Sequence, residues 1–202
     1  MKKGWRGLSI ILSLLLLGSC SPANDLPVST PSPTAETSPA NPGNDSGPAF
    51  GVFSQWAIRA EGSSEFANPE WSAAQAIGSP DAPGCGDYQF AWASAASDSI
   101  ETLEVGFPSP VYPQEIRIHQ SFNPDQVVKV EVLNPETGAY YTVLQKNPVS
   151  IDRPCPYVLE VATDEIDFQT DTVRITVDQS QLGLGWNEID AVLLVGSLDP
   201  VD

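Results

Sequence analysis

From residue 52 onward the sequence breaks into runs of six to eight residues in which apolar and polar side chains alternate, with turn-forming residues between them. A period of two sends successive side chains to opposite faces, so each run reads as a half-buried strand. Ile100 to Phe107 puts Leu103, Val105 and Phe107 on one face, and Glu115 to Gln120 sets Ile116, Ile118 and Gln120 against Glu115, Arg117 and His119. Val127 to Leu133 sets Val128, Val130 and Val132 opposite Lys129, Glu131 and Leu133. Val52 to Arg59 places Val52, Ser54, Trp56 and Ile58 together, with Trp56 expected in the core. Tyr140 to Gln145, Tyr157 to Ala162 and Thr172 to Asp178 add three more strands, and Glu188 to Val195 closes the series with Ile189, Ala191 and Leu193 on one face. Asn134-Pro135-Glu136-Thr137-Gly138 is a turn. One short helix is expected, with Asn68 as N-cap, Pro69 in the first position, Trp71 to Ile77 as its body and Gly78 at its end. Many short strands with one local helix specify an all-β, jelly-roll β-sandwich.

The run from Phe50 to Leu198 holds 149 residues. A domain of that size buries roughly 68–70% of its unfolded surface and needs no metal or extra staple to fold. The expected organisation is a leader at 1–19, a tether at 20–48 and one folded domain at 49–202.

The leader carries Lys2, Lys3 and Arg6, then an apolar run from Leu8 to Leu17. A run of ten residues is too short to span a bilayer core of about 30 Å as a helix, but it matches a signal h-region. The following Leu17-Gly18-Ser19-Cys20 resembles the lipobox of bacterial lipoproteins. That resemblance implies acylation of Cys20, with palmitate-type chains, and anchoring at the cell membrane or outer membrane with the domain facing away from the cytoplasm. Ser21, not Asp, follows the cysteine. This leans towards the outer membrane where the cell has one. Residues 21–48 hold seven prolines and eight serines or threonines. Such a segment buries too little apolar surface to offset its ordering entropy. It spans roughly 30 Å as a coil and about 90 Å as polyproline II.

The chain has 26 acidic against 9 basic side chains, and three of the basic ones lie in the leader. A surface so negative repels nucleic-acid phosphate and anionic lipid headgroups, so nucleic acid is not an expected partner and the membrane is reached only through the lipid. Cys85 and Cys155 lie 70 residues apart in loop-like contexts, Pro83-Gly84-Cys85-Gly86 and Pro154-Cys155-Pro156. Export permits a disulfide between them; two separate buried thiols are the alternative.

Several stretches together resemble a known domain: WSAAQAIGSPD (Trp71 to Asp81), Gly86-Asp87, AWAS (Ala91 to Ser94), LEVGF (Leu103 to Phe107), PVYPQEIRI (Pro110 to Ile118), SFNP (Ser121 to Pro124) and GWNEIDAVLLVG (Gly185 to Gly196). In this order they resemble the pappalysin-type scarf domain, a relative of the discoidin-type, galactose-binding-like sandwiches. The resemblance implies a jelly roll whose relatives bind sugars, lipids or proteins through loops at one end. It carries no protease activity across, since the chain lacks HExxH and has a single histidine, His119. Relatives of this fold also hold a structural calcium, for which Glu65, Asn68 and Glu188 are the matching candidates.

No nucleophile elbow, P-loop or EF-hand loop is present. Glu188-Ile189-Asp190 resembles the start of an E-x-D-x-x-E glycosidase motif, but Leu193 stands where the second glutamate belongs. A retaining glycosidase needs both carboxyls. The reading is therefore a non-catalytic binding module, with carbohydrate as the leading ligand class. An interaction or assembly role with an envelope protein is the alternative, and a glycoside hydrolase comes third. Three loop regions, 79–92, 119–123 and 179–187, mix aromatic and polar residues. Trp92 and Trp186 are the expected stacking rings, with Asp87, Asn123 and Asn187 as hydrogen-bonding partners. Gly183 and Gly185 serve either close approach or turn geometry.

Overall fold

The computed structural model describes residues 51–163 and 165–200; the leader, Cys20 and the tether lie outside the described residues. Eight strands form two antiparallel layers: β1 (Val52–Trp56), β2 (Arg59–Gly62), β3 (Ile100–Phe122), β4 (Val127–Leu133), β5 (Tyr140–Gln145), β6 (Tyr157–Ala162), β7 (Thr170–Asp178) and β8 (Glu188–Ser197). One layer runs β1-β8-β3-β6 and the other β2-β3-β7-β4-β5.

β3 belongs to both layers. Its first half pairs with β2 and β7, and its second half with β8 and β6. The sequence pattern reads two strands here; the structure joins them into one. The joint carries Pro108, Pro110 and Pro113, which lack the N–H a ladder needs, and pairing to β7 skips between Gly106 and Val111. A strand that lapses from its ladder in this way can turn the corner of a sandwich. Because β3 folds over at its middle, Ile100 (opposite Asp178) and Phe122 (opposite Glu188) return to the same end of the molecule. The loops that follow β2, β3 and β7 therefore converge there. Val52, paired with Ser197, lies at the other end of β8, roughly 30 Å away at strand rise over ten residues.

Between the layers sit Leu103, Val105 and Phe107, Ile116 and Ile118, Val130 and Val132, and Val173, Ile175 and Val177, all fully buried or nearly so. Three faces differ from the alternation expected, one of them in β4, where Val127 is buried in place of Val128 because pairing to β7 slips between Val127 and Lys129. In β1 the buried positions are Gln55 and then Ala57, while Val52 and Ile58 are exposed. Trp56 is half-buried, edge-on to His119 at 5.3 Å between ring centroids. The cause is that the expected strand is two: Ala57 bonds to Val192 and Ile58 to Gly106, so the chain crosses from one layer to the other between β1 and β2. β8 is buried on both faces, and the cluster between the layers takes Ile189, Val192 and Leu194, while Ala191 and Leu193, also buried, lie on its other face. A register shift beside Gln120 moves the inward face by one residue.

The expected helix is absent. Trp71 takes a left-handed φ of 52° and Ser72 is extended, leaving only a single 3-10 turn over Ala73–Ala76. The Asn68–Pro69 bond is cis. The turn at Asn134 is as read: its Oδ1 accepts the Glu136 and Thr137 amides, and Gly138 supplies the left-handed φ of 70°. Cys85 and Cys155 form a disulfide with Cα atoms 6.0 Å apart, tying the 79–92 loop to the segment before β6.

Candidate functional site

At the end where the β3 termini meet, three aromatic rings surround a cavity of about 140 Å³ lined by Phe66, Trp71, Asp87, Ala93, Trp186 and Glu188. Phe66 is half exposed. Trp71 and Trp186 stand nearly perpendicular to it, with centroids 5.4 and 5.3 Å away and interplanar angles of 75° and 79°. Phe66 and Trp71 come from the segment between β2 and the 3-10 turn and Trp186 from the loop between β7 and β8, and each ring is fixed by its own contacts. The Phe66 amide donates to the Ala93 carbonyl, and Trp71 exchanges backbone bonds with Gln89 and Ala93. The Trp71 Nε1–H donates to Asp87 Oδ1 at 3.2 Å, and the Trp186 Nε1–H to the Ser94 carbonyl at 2.9 Å.

Glu188 forms the floor. It is 2% exposed, and its Oε2 accepts the Tyr88 amide at 3.0 Å and the Ser121 hydroxyl at 2.9 Å. Two residues along β8, Asp190 accepts the Asp81 and Ala82 amides. These two carboxyls thus hold the 79–92 loop against the sandwich. Burial pushes the Glu188 carboxyl up to about 7, against the lowering effect of Tyr88 and Ser121, and the hydrogen-bonded Asp87 carboxyl adds to the rise. Burial raises Asp190 as well, with Asp81 contributing.

The folded domain therefore keeps a proton on Glu188 that the unfolded chain releases near pH 4.5. This group favours the folded state fully below that pH, and the contribution is lost as pH rises through about 7, a difference of up to about 3 kcal/mol. Glu188→Gln keeps an oxygen for Tyr88 and Ser121 while removing the titration. The variant is expected to melt above the parent near pH 8 and at the same temperature near pH 4.5. A gap that does not change with pH contradicts the assignment.

The residues expected from sequence divide sharply. Asp87 and Trp186 lie in the cavity wall. Trp92 does not: it is completely buried, bridges to Ile189 and donates its Nε1–H to the Ser64 carbonyl at 3.0 Å. Its ring packs so closely on Gly62 that a Cβ there would lie 2.7 Å from Nε1. Trp92 supports the loop that presents Phe66. Asn187 is also fully buried, its Nδ2 donating to Gln120 and to the Asn123 carbonyl. The Asn123 side chain donates to the Leu184 and Trp186 carbonyls. Both asparagines tie loops together, and neither lines the cavity. Gly183 and Gly185 have positive φ and no tight neighbour, so they serve turn geometry.

Glu65 accepts the Ala73 amide and the Asn68 side chain, while Glu188 is held by the other loop. Among the described residues no three acidic, histidine or cysteine side chains converge to hold a metal. Sequence reasoning missed Phe66 and underused Trp71. The available signal was a large aromatic isolated in Ser63-Ser64-Glu65-Phe66-Ala67-Asn68, where no strand or helix period accounts for it.

A family model described as the C-terminal SD scarf domain of pappalysin-1 matches residues 47–201. No curated protein sequence matches the chain. Among solved structures, CpGH89CBM32-4 of Clostridium perfringens, in complex with glcNAc-alpha-1,4-galactose, superposes with a TM-score of 0.51 at 12% identity, covering 68% of this chain and 89% of that one. The family 32 carbohydrate-binding module of Clostridium perfringens NanJ, in complex with galactose, gives 0.47 at 16% identity over 71% and 99%. A chitosan-binding module of a Paenibacillus chitosanase/glucanase gives 0.46 at 14% identity over 68% and 92%.

Proposed function

The chain belongs to the family of the pappalysin-1 C-terminal SD scarf domain, and from that premise we propose that it is a non-catalytic carbohydrate-binding module whose ligand sits against Phe66, Trp71 and Trp186. The observation that carries this reading is the aromatic cavity at the convergent loop end. Indole and phenyl faces pack on the apolar face of a pyranose, and the Asp87 carboxyl at the rim accepts hydroxyl donors. The C. perfringens module of the same fold was solved with a disaccharide, and the proposal extends that class of ligand to this chain. A cavity of 140 Å³ is below the roughly 300–1,000 Å³ of drug-sized pockets, so it receives one terminal sugar unit.

A binding role fits the carboxyls better than a catalytic one. Both carboxyls are engaged by the protein itself, Asp87 by the Trp71 indole and Glu188 by the Tyr88 amide and the Ser121 hydroxyl, whereas glycoside hydrolysis needs two carboxyls free to flank the scissile bond. We further propose that Cys20 is acylated and that the tether carries the domain from a membrane surface. Val52, where the described chain enters the sandwich, lies at the end of β8 opposite the cavity.

The test is a glycan array probed with residues 46–202, the compact unit of the chain, beside Trp71→Ala and Trp186→Ala. Binding of a defined sugar class is expected, weakened at least tenfold by either substitution, as expected for loss of a central aromatic contact. An array with no bound glycan, or one whose hits are untouched by both substitutions, overturns the reading.

A further inference from the structure

Among the described residues the carboxyl pair at the floor of the cavity has no basic partner. Six basic side chains belong to the described residues. Arg59 pairs with Asp171, Arg117 with Glu115 and Glu160, Lys129 with Glu131, Arg153 with Asp125, and Arg174 with Glu104. Lys146 feels Asp125 and Arg153 as its charged neighbours. None of them reaches Asp87 or Glu188. The groups facing this carboxyl pair are the Trp71 Nε1–H, the Tyr88 amide and the Ser121 hydroxyl, all neutral donors. The next carboxyls along β8, Asp190 and its neighbour Asp81, are acidic too.

Above this pair stand three aromatic faces. The quadrupole of each ring attracts a cation, most strongly where the cation is desolvated. Rings set at 75° and 79° to a common phenyl form the walls of a box, and Glu188, nine-tenths buried and more, closes it. A neutral sugar would leave the negative charge of this carboxyl pair, in which Glu188 holds its proton up to about pH 7, uncompensated beneath apolar walls, which is costly in a low-dielectric site.

We propose that the group this cavity takes is an alkylammonium cation: the amine of an amino sugar, or a quaternary ammonium head, neutralises Asp87 and Glu188 while its carbons contact Phe66, Trp71 and Trp186. This deepens the carbohydrate reading and rests on the same cavity, but it fails or stands separately.

The experiment is calorimetric titration of residues 46–202 with three probes: a glucosamine oligosaccharide, its fully N-acetylated counterpart, and choline. The glucosamine oligomer is expected to bind at least tenfold more tightly than the acetylated one. Asp87→Asn, which keeps an acceptor for the Trp71 indole, is expected to remove that preference while the domain still melts as a single transition. Choline carries a charge that does not titrate, so its affinity reports on the protein alone. It is expected to rise about tenfold from pH 6 to pH 8 as Glu188 ionises, and Glu188→Gln is expected to flatten this rise. Binding of choline but of neither sugar supports the cation site and overturns the carbohydrate reading. Equal affinity for both oligosaccharides, with no effect of Asp87→Asn, overturns the cation site and leaves the carbohydrate reading standing. Binding of none of the three probes overturns the cation site.

Discussion

Trp92→Ala is expected to lower the melting temperature by about 6–20 °C, whereas Trp186→Ala is expected to stay within about 3 °C of the parent and to lose ligand. The contrast follows from position alone. Trp92 is completely buried, and deletion of a buried tryptophan side chain costs about 3–5 kcal/mol. A domain of this size loses about 2–4 °C per kcal/mol. The cavity left behind cannot close easily, because its wall includes the Gly62 backbone and the Ser64 carbonyl. Trp186 has one face towards the cavity and keeps its loop through bonds made by other residues. Gln126 donates to the Gly185 carbonyl, Asn123 to the Leu184 and Trp186 carbonyls, and the Asn187 amide to Gln179. Thermal melts of the two variants side by side check this. Equal losses of stability would show that Trp186 is a core residue like Trp92.

Reduction of Cys85–Cys155, or its replacement by serines, is expected to cost roughly 4 kcal/mol, a fall of about 8–16 °C. The bond closes a 70-residue loop, and in the chain-entropy model this is the unfolded-state freedom it removes. The loss is expected to fall hardest on the binding end. The bridge ties the 79–92 loop, which carries Asp87, to a segment otherwise held by Asp125, whose carboxylate accepts the Ile151 amide and pairs with Arg153. Gly86 also bonds to Ser121 beside Glu188. Melting with and without reductant measures the stability term, and ligand titration of the reduced domain measures the effect on the site. A double-serine variant that melts as the parent does would refute the estimate.

The fold was legible in the sequence wherever alternation faced a single core. Leu103, Val105, Phe107, Ile116, Ile118, Val130 and Val132 are all buried as their spacing requires. Alternation misled where the chain changes layer or slips register. The Ala57–Ile58 crossing turned Val52 and Ile58 outward, and the shift beside Gln120 put Leu194 rather than the likewise buried Leu193 into the cluster between the layers. Neither event leaves a mark in the local pattern, because both are settled by pairing with residues more than 40 positions away. The helix expected at Trp71 to Ile77 failed for a related reason. Tertiary contacts of the Trp71 ring with Phe66 and Asp87 accompany its left-handed backbone, which no helical segment tolerates.

The site was half legible. Composition marked the loops that supply Asp87 and Trp186 but not the segment after β2 that supplies Phe66 and Trp71. The roles of the other polar residues were not visible, because an asparagine that binds a ligand and one that staples two loops look alike in sequence. Asn123 and Asn187 donate to carbonyls of neighbouring loops, as buried amides must. Trp92 and Trp71 likewise have similar local contexts, and only the topology of β3 decides which one lies beneath the surface.

The most direct test of the central claim is a proton–nitrogen NMR titration of residues 46–202 with the sugar that gives the strongest array signal. The domain has four indole Nε1–H groups, on Trp56, Trp71, Trp92 and Trp186. The account predicts that the Trp71 and Trp186 resonances shift in a saturable way, while those of Trp56, at the side of the sandwich, and Trp92, in its core, stay in place. Saturable binding with both Trp71 and Trp186 unmoved would place the ligand elsewhere and contradict the account.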